Sequence, residues 1–178
     1  RDSWHSSYKR YLSMNNIVLI GMPGSGKSTI GIILAKRLGY DFVDTDNLIS
    51  DIEKTTLQDI IDKKGVSEFL KIEGIVGEEL NIDNTVIATG GSMVFSDSAM
   101  KNLLNGSKCV FIDVPLPEIK RRVKNIDTRG IAMENDDTLD TLYEKRMPKY
   151  REYADITVEV KQNSKIDNVV SKILDKLK

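Results

Sequence analysis

The stretch "GMPGSGKST", residues 21–29, sets three glycines ahead of a lysine and a serine, between the apolar run "NIVLI" and the helical pattern "KSTIGIILAKRLG". A strand, a glycine-rich turn and an amphipathic helix in that order leave few architectures open. Gly21, Gly24 and Gly26 let the backbone take conformations that aim several amides inward, and the positive end of the following helix closes the nest. Pro23 stiffens the loop by fixing one backbone angle. A cradle of this kind suits a phosphate.

The rest of the chain repeats the strand-then-helix order. Five apolar runs, at 16–22, 40–46, 85–91, 108–114 and 155–160, read as short buried strands. Helical patterns lie between and after them, at 27–38, 47–82 with interruptions, 96–104, 116–125, 138–153 and 165–177. Such alternation implies an α/β protein whose parallel sheet is covered on both faces. At 178 residues the chain fits one domain, expected over 14–178. Residues 1–13 hold the only tryptophan and the only histidine and precede the regular pattern, so they are expected to be an appendage, disordered or left from cloning, with no catalytic role for His5. The polar segment 125–138, flanked by helices, is expected to be a mobile loop.

Charge narrows the function. Lysine and arginine total 26 and aspartate and glutamate 27, so no global basic field draws the chain to nucleic acid or a membrane surface. No apolar stretch approaches the roughly 20 residues of a membrane span, and nothing at the start resembles a secretory signal. A cytoplasmic location is the expectation. The single cysteine, Cys109, sits in the apolar run "CVFIDV" and reads as a packing residue.

In the full G-x-x-x-x-G-K-S spacing, Lys27 reaches the β- and γ-phosphates of a nucleotide and the Ser28 hydroxyl ligates Mg²⁺, with Gly24, Ser25, Gly26 and Thr29 around the phosphates. Replacing Lys27 is expected to stop turnover and spare the fold, because the loop faces solvent. The second strand, "DFVDTD", ends on Asp44 and Asp46. In an open parallel sheet the crevice beyond the carboxyl ends of the strands is where ligands bind. Asp44 can hold the metal through water, and Asp46 can orient an acceptor hydroxyl and take its proton. The alternative for Asp46 is a cap on the helix that follows.

In order and spacing, "GMPGSGKSTIG", "FVDTD", "VIATGG", "TRGIAM" and "KRMPKYREYAD" resemble the shikimate kinase family over residues 16–160. The resemblance implies a three-layer P-loop kinase fold, with a five-stranded parallel sheet of order 2-3-1-4-5 and a mobile lid. It also implies ATP, Mg²⁺ and transfer of the γ-phosphoryl group to the 3-hydroxyl of shikimate. By the same resemblance Gly90 and Gly91 form a turn that admits the acceptor, and Arg129 is a lid arginine over the phosphates. Arg146 grips the acceptor carboxylate, and Arg122 packs on adenine. Read without the resemblance, Arg146 can be an ordinary helix-surface charge, and Arg122 can pair with Glu118 one turn back.

Three departures touch the acceptor half and the lid. Leu70 in "EFLKIEG" stands where the family has an arginine, Ser92 stands where a third glycine is usual, and the lid reads "RGIA". Losing one charge-assisted contact to a carboxylate costs roughly 1.5–3 kcal/mol. Lys71 points about 100° away on a helix and lacks the planar fork of an arginine. The expectation is therefore a monomeric small-molecule kinase with shikimate as its first acceptor. Another hydroxylated acid or a polyol, or a nucleotide-binding module without turnover, are the alternatives.

Overall fold

The computed structural model describes residues 16–178, so the expected tail at 1–13 lies outside the described residues. Five strands, β1 (Asn16–Ile20), β2 (Asp41–Asp44), β3 (Thr85–Ala88), β4 (Lys108–Asp113) and β5 (Ile156–Glu159), form one sheet. Every neighbouring pair is parallel, and the order is β2-β3-β1-β4-β5, as the resemblance implied.

The helices are α1 (Lys27–Leu38), α2 (Thr45–Glu53), α3 (Leu57–Lys64), α4 (Val66–Glu79), α5 (Asp97–Leu104), α6 (Leu116–Arg122), α7 (Leu139–Tyr153) and α8 (Ile166–Leu177). The interrupted pattern at 47–82 resolves into three of them. Lys54 (φ 56°) ends α2 in the left-handed region, and Gly65 (φ 86°) separates α3 from α4. Between these breaks Thr56 caps α3 by accepting from the Asp59 amide. Helices α1 and α8 pack together on one face of the sheet, while α5 and α7 cover the other.

Strands β1, β2 and β3 end well before the apolar runs that announce them do, and each has a local cause. Gly21 leaves β1 at φ 151°, the Asp44 carboxylate turns the chain into α2, and the Thr89 hydroxyl bonds back to the Leu19 carbonyl at 2.8 Å. Strand pairing therefore gives way to loops along one edge, where the carboxyl ends of β1, β2 and β3 lie together.

Beneath that edge the central strands are sealed. Val18, Leu19, Ile20, Val110 and Ile112 are fully buried. Cys109 is buried with them, and burial pushes its thiol up to about 12, so it packs as a small apolar residue. Phe111 and Tyr150 stack with ring centroids 5.2 Å apart. The Tyr150 hydroxyl then donates to the Gly91 carbonyl at 2.6 Å, tying α7 to the turn after β3. No helix of the described residues is long and apolar enough to cross a membrane.

Candidate active site

The loop between β1 and α1 is built on backbone angles that L side chains rarely adopt, with Gly24 at φ 79° and Gly26 at φ 89°. Gly26 caps α1 without any side chain bonding the first amides, and no acidic residue lies in the first turn. Those amides and the dipole of a twelve-residue helix are left to an anion.

Lys27 is buried, a correction to the solvent-facing site expected. Its Nζ donates to the carbonyls of Gly21 at 2.8 Å and Met22 at 2.9 Å, and to Ser25 Oγ at 3.3 Å. Desolvation lowers its pKa to about 8; Asp46 and Asp44 oppose that shift, while Arg146 and Arg129 add to it. The ammonium thus braces the loop from inside.

Gly24, Gly26, Lys27, Ser28 and Thr29 line a cavity of about 210 Å³. Ser25 does not: its hydroxyl is turned to Lys27 and its amide to the Met22 carbonyl at 3.1 Å. Ser28 Oγ donates to Asp44 Oδ2, bringing the two expected metal ligands together. A hydroxyl beside a carboxylate is a donor set of the hard oxygen kind that suits Mg²⁺.

Asp44, and not Asp46, caps α2. Its Oδ1 accepts from the amides of Asp46 at 2.9 Å and Asn47 at 3.4 Å. Asp46 accordingly lies on the first turn of α2 instead of at a strand end, and its carboxylate is free to line the cavity. Burial, then the Asp44 charge, push Asp46 up to about 6 against the pull of Lys27, Arg129 and Arg146.

Gly90 and Gly91 form the wall next to Asp46. The Gly90 amide donates to Thr45 Oγ1 at 3.0 Å. A Cβ at Gly90 would lie 2.4 Å from Glu73 Oε2 and 2.6 Å from Asp46 Oδ1, and one at Gly91 would lie 2.7 Å from Arg146 Nη1. The turn has no side chains because carboxylates and a guanidinium press against it.

Arg146 is 2% exposed, so it is not an ordinary helix-surface charge. Its Nη2 donates to the Ala132 carbonyl at 3.2 Å, and its Nε has no partner among the described residues. Arg129 reaches the same cavity from the segment at 125–138. That segment is anchored next door, where the Gly130 amide donates to Gln58 Oε1 at 3.1 Å. Arg122 stands apart from the cavity: its Nε donates to Glu118 Oε1 at 2.8 Å and its Nη1 to the Gly24 carbonyl at 3.2 Å.

Glu73 is the charged residue of the cavity to which the sequence assigned no role. Glu73, 2% exposed, accepts from Ser92 Oγ at 2.6 Å through Oε1, while Oε2 has no partner among the described residues. Burial pushes it up to about 7. Its signal is faint but present, since it follows the buried Phe69 by four residues and so falls on the inward stripe of α4. Leu70 faces a second cavity of about 130 Å³ that shares Ser92, Ala132 and Arg146 with the first. Lys71 is exposed and lines neither.

A phosphate nest, a buried carboxylate and buried guanidinium in one cleft can move a phosphoryl group onto an alcohol. Known proteins agree. The sequence model of the shikimate kinase family matches residues 23–178. A shikimate kinase from Rippkaea orientalis is 41% identical over 90% of this chain and 86% of its own. Among solved structures, a shikimate kinase from Acinetobacter baumannii in complex with shikimate is similar at 29% identity and a TM-score of 0.85, covering 95% of this chain and 96% of that one. The shikimate kinase from Aquifex aeolicus gives 33% identity and a TM-score of 0.75 over 91% and 95%. The chain belongs to the shikimate kinase family, P-loop kinases that phosphorylate an alcohol.

Proposed function

We propose that this protein transfers the γ-phosphoryl group of ATP to the 3-hydroxyl of shikimate. One observation carries the reading: Lys27 and Asp46 line the same cavity, with Arg146 buried beside them. Phosphate and alcohol are thereby brought within reach of one another in a site where charges are weakly screened.

The chain's own residues divide the work. The amides at Gly24, Gly26 and Thr29 cradle the phosphates, and Lys27 and Arg129 spread the charge that moves during in-line transfer. Ser28 and Asp44 would hold Mg²⁺, which would supply positive charge to offset that of the phosphates. Asp46 orients the acceptor hydroxyl and receives its proton as the new P–O bond forms and the bond to the ADP leaving oxygen breaks. Arg146 pairs with the acceptor carboxylate. Every group used comes from one chain, so the reaction asks for no second copy, and its need for ATP fits a cytoplasmic location.

An acceptor screen tests this directly. With ATP and Mg²⁺, shikimate is expected to stimulate ADP release above that of other hydroxy acids, polyols and hydroxy amino acids. A polyol that outcompetes shikimate would replace it as acceptor, and ADP release indifferent to every acceptor would leave a nucleotide-binding module.

Two substitutions read the acceptor half. Leu70→Arg introduces a guanidinium beside Arg146 and is expected to lower the shikimate KM about tenfold to a hundredfold, the worth of one charge-assisted hydrogen bond. An unchanged KM would point to another acceptor. Gly90→Ala forces a methyl against Glu73 and Asp46, and is expected to cut kcat/KM about 10²-fold with ATP binding unaltered, as displacements near 1 Å do. Steady-state kinetics and nucleotide titration check both.

A further inference from the structure

Among the described residues three buried side-chain polar atoms lack any hydrogen-bond partner, and two of them, Glu73 Oε2 and Arg146 Nε, belong to residues of the same cavity. They are opposite in charge, and neither satisfies the other. Buried groups left unpaired in this way are costly unless something that enters the cavity completes them. Arg146 is matched by an acid; Glu73 is matched by a hydrogen-bond donor.

What directs Glu73 is Ser92. This residue is 5% exposed, follows the Gly90–Gly91 turn, and donates to Oε1 at 2.6 Å. With Oε1 pinned, Oε2 lies 2.4 Å from the point at Gly90 that is 2.6 Å from Asp46 Oδ1. Two carboxyl oxygens, from α4 and α2, therefore converge on one glycine. A pair of hydroxyls on neighbouring carbons fits such a pair of acceptors, one hydroxyl at Asp46 and the other at Glu73.

We propose that Ser92 is a positioning residue for the acceptor: by holding Glu73 Oε1 it presents Oε2 to the hydroxyl adjacent to the one that reacts. The proposal rests on the kinase reading given above. Ser92 acts through Glu73 and touches no reacting atom.

A pH signature follows, because Glu73 is pushed up to about 7 chiefly by burial. Around it, Ser92, Arg146 and Lys27 favour its charged form, Asp46 disfavours it, and the Tyr150 phenol lies near on α7. The ionised form is the better acceptor for a hydroxyl. The acceptor KM accordingly falls as pH rises through about 7. Ser92→Ala removes a donor that stabilises the charged form, so the fall moves to higher pH.

The test compares unaltered protein, Ser92→Ala, Ser92→Thr and Glu73→Gln, each first shown to be folded by its thermal midpoint, with shikimate and with an analogue lacking the hydroxyl next to the reacting one. Ser92→Ala is expected to raise the shikimate KM about tenfold with kcat within about threefold, and Ser92→Thr to restore it. Glu73→Gln is expected to flatten the pH dependence of KM. For the deoxy analogue the unaltered protein should show the raised KM already, and Ser92→Ala should add little, the non-additivity of two changes to one contact. Should Ser92→Ala keep both the KM and the pH profile of the unaltered protein, or add its full effect with the deoxy analogue, the proposal is overturned. Absence of turnover by unaltered protein with either compound overturns the kinase reading and this proposal with it, a result distinct from the other two.

Discussion

Replacing Lys27 by alanine is expected to lower kcat by at least about 10²–10³-fold, the usual consequence of removing one donor to the charge of a transition state. The loss should appear in kcat and kcat/KM together, since the ammonium matters most as the phosphoryl group moves. It should also have a structural side. Lys27 Nζ holds two loop carbonyls and the Ser25 hydroxyl from a buried position, so alanine leaves the Gly21 and Met22 carbonyls without that donor. A stability loss of about 1–3 kcal/mol by urea unfolding is the expected size. Turnover within about threefold of the unaltered protein would remove Lys27 from the mechanism, whatever its effect on stability.

The second large effect is expected at Asp46. Asp46→Asn preserves shape and cannot take a proton, so kcat should fall about 10²–10⁴-fold, the range of a positioned general base. The pH profile separates this from simple misplacement. Burial and the Asp44 charge push Asp46 from 3.8 up to about 6, so its basic form is lost as pH falls through about 6. The unaltered protein should therefore lose kcat on the acid side of about 6, and the asparagine variant should lack that limb. A variant that retains both rate and acid limb would assign the proton to another group.

How much of this was legible in the sequence depended on distance along the chain. The nucleotide half is compressed into nine residues, 21–29, whose spacing fixes its geometry, and the strand-helix alternation carried the sheet. Sheet order, Arg129 and Arg146 came from resemblance and not from periodicity. In "EKRMPKY" the arginine sits among charges and looks like solvent-facing surface, yet in the fold it is buried, with Gly91 and the Ala132 carbonyl against its guanidinium. Asp46 was placed at a strand end because two aspartates two residues apart give no sign of which one caps, and the answer lies in Asp44 accepting two amides.

The Glu73–Ser92 pair was beyond local reading for a different reason. Nineteen residues separate the two, on different elements, and each alone has an ordinary explanation as a helix charge or a turn residue. Their meaning comes from packing, which puts a carboxylate with one bonded and one unbonded oxygen against a glycine turn. Departures at Leu70 and Ser92 looked like two separate losses in the acceptor half. In the folded protein both residues border the same small cavity next to Arg146.

The account stands or falls on whether phosphorus leaves ATP for a ring hydroxyl in this cleft. Phosphorus-31 NMR of protein, ATP, Mg²⁺ and shikimate followed over time measures this. The γ-phosphate resonance should be replaced by a phosphomonoester signal coupled to the proton on carbon 3 of the acceptor, in step with ADP. ATP that stays intact, or that yields ADP and inorganic phosphate with no ester, would contradict it.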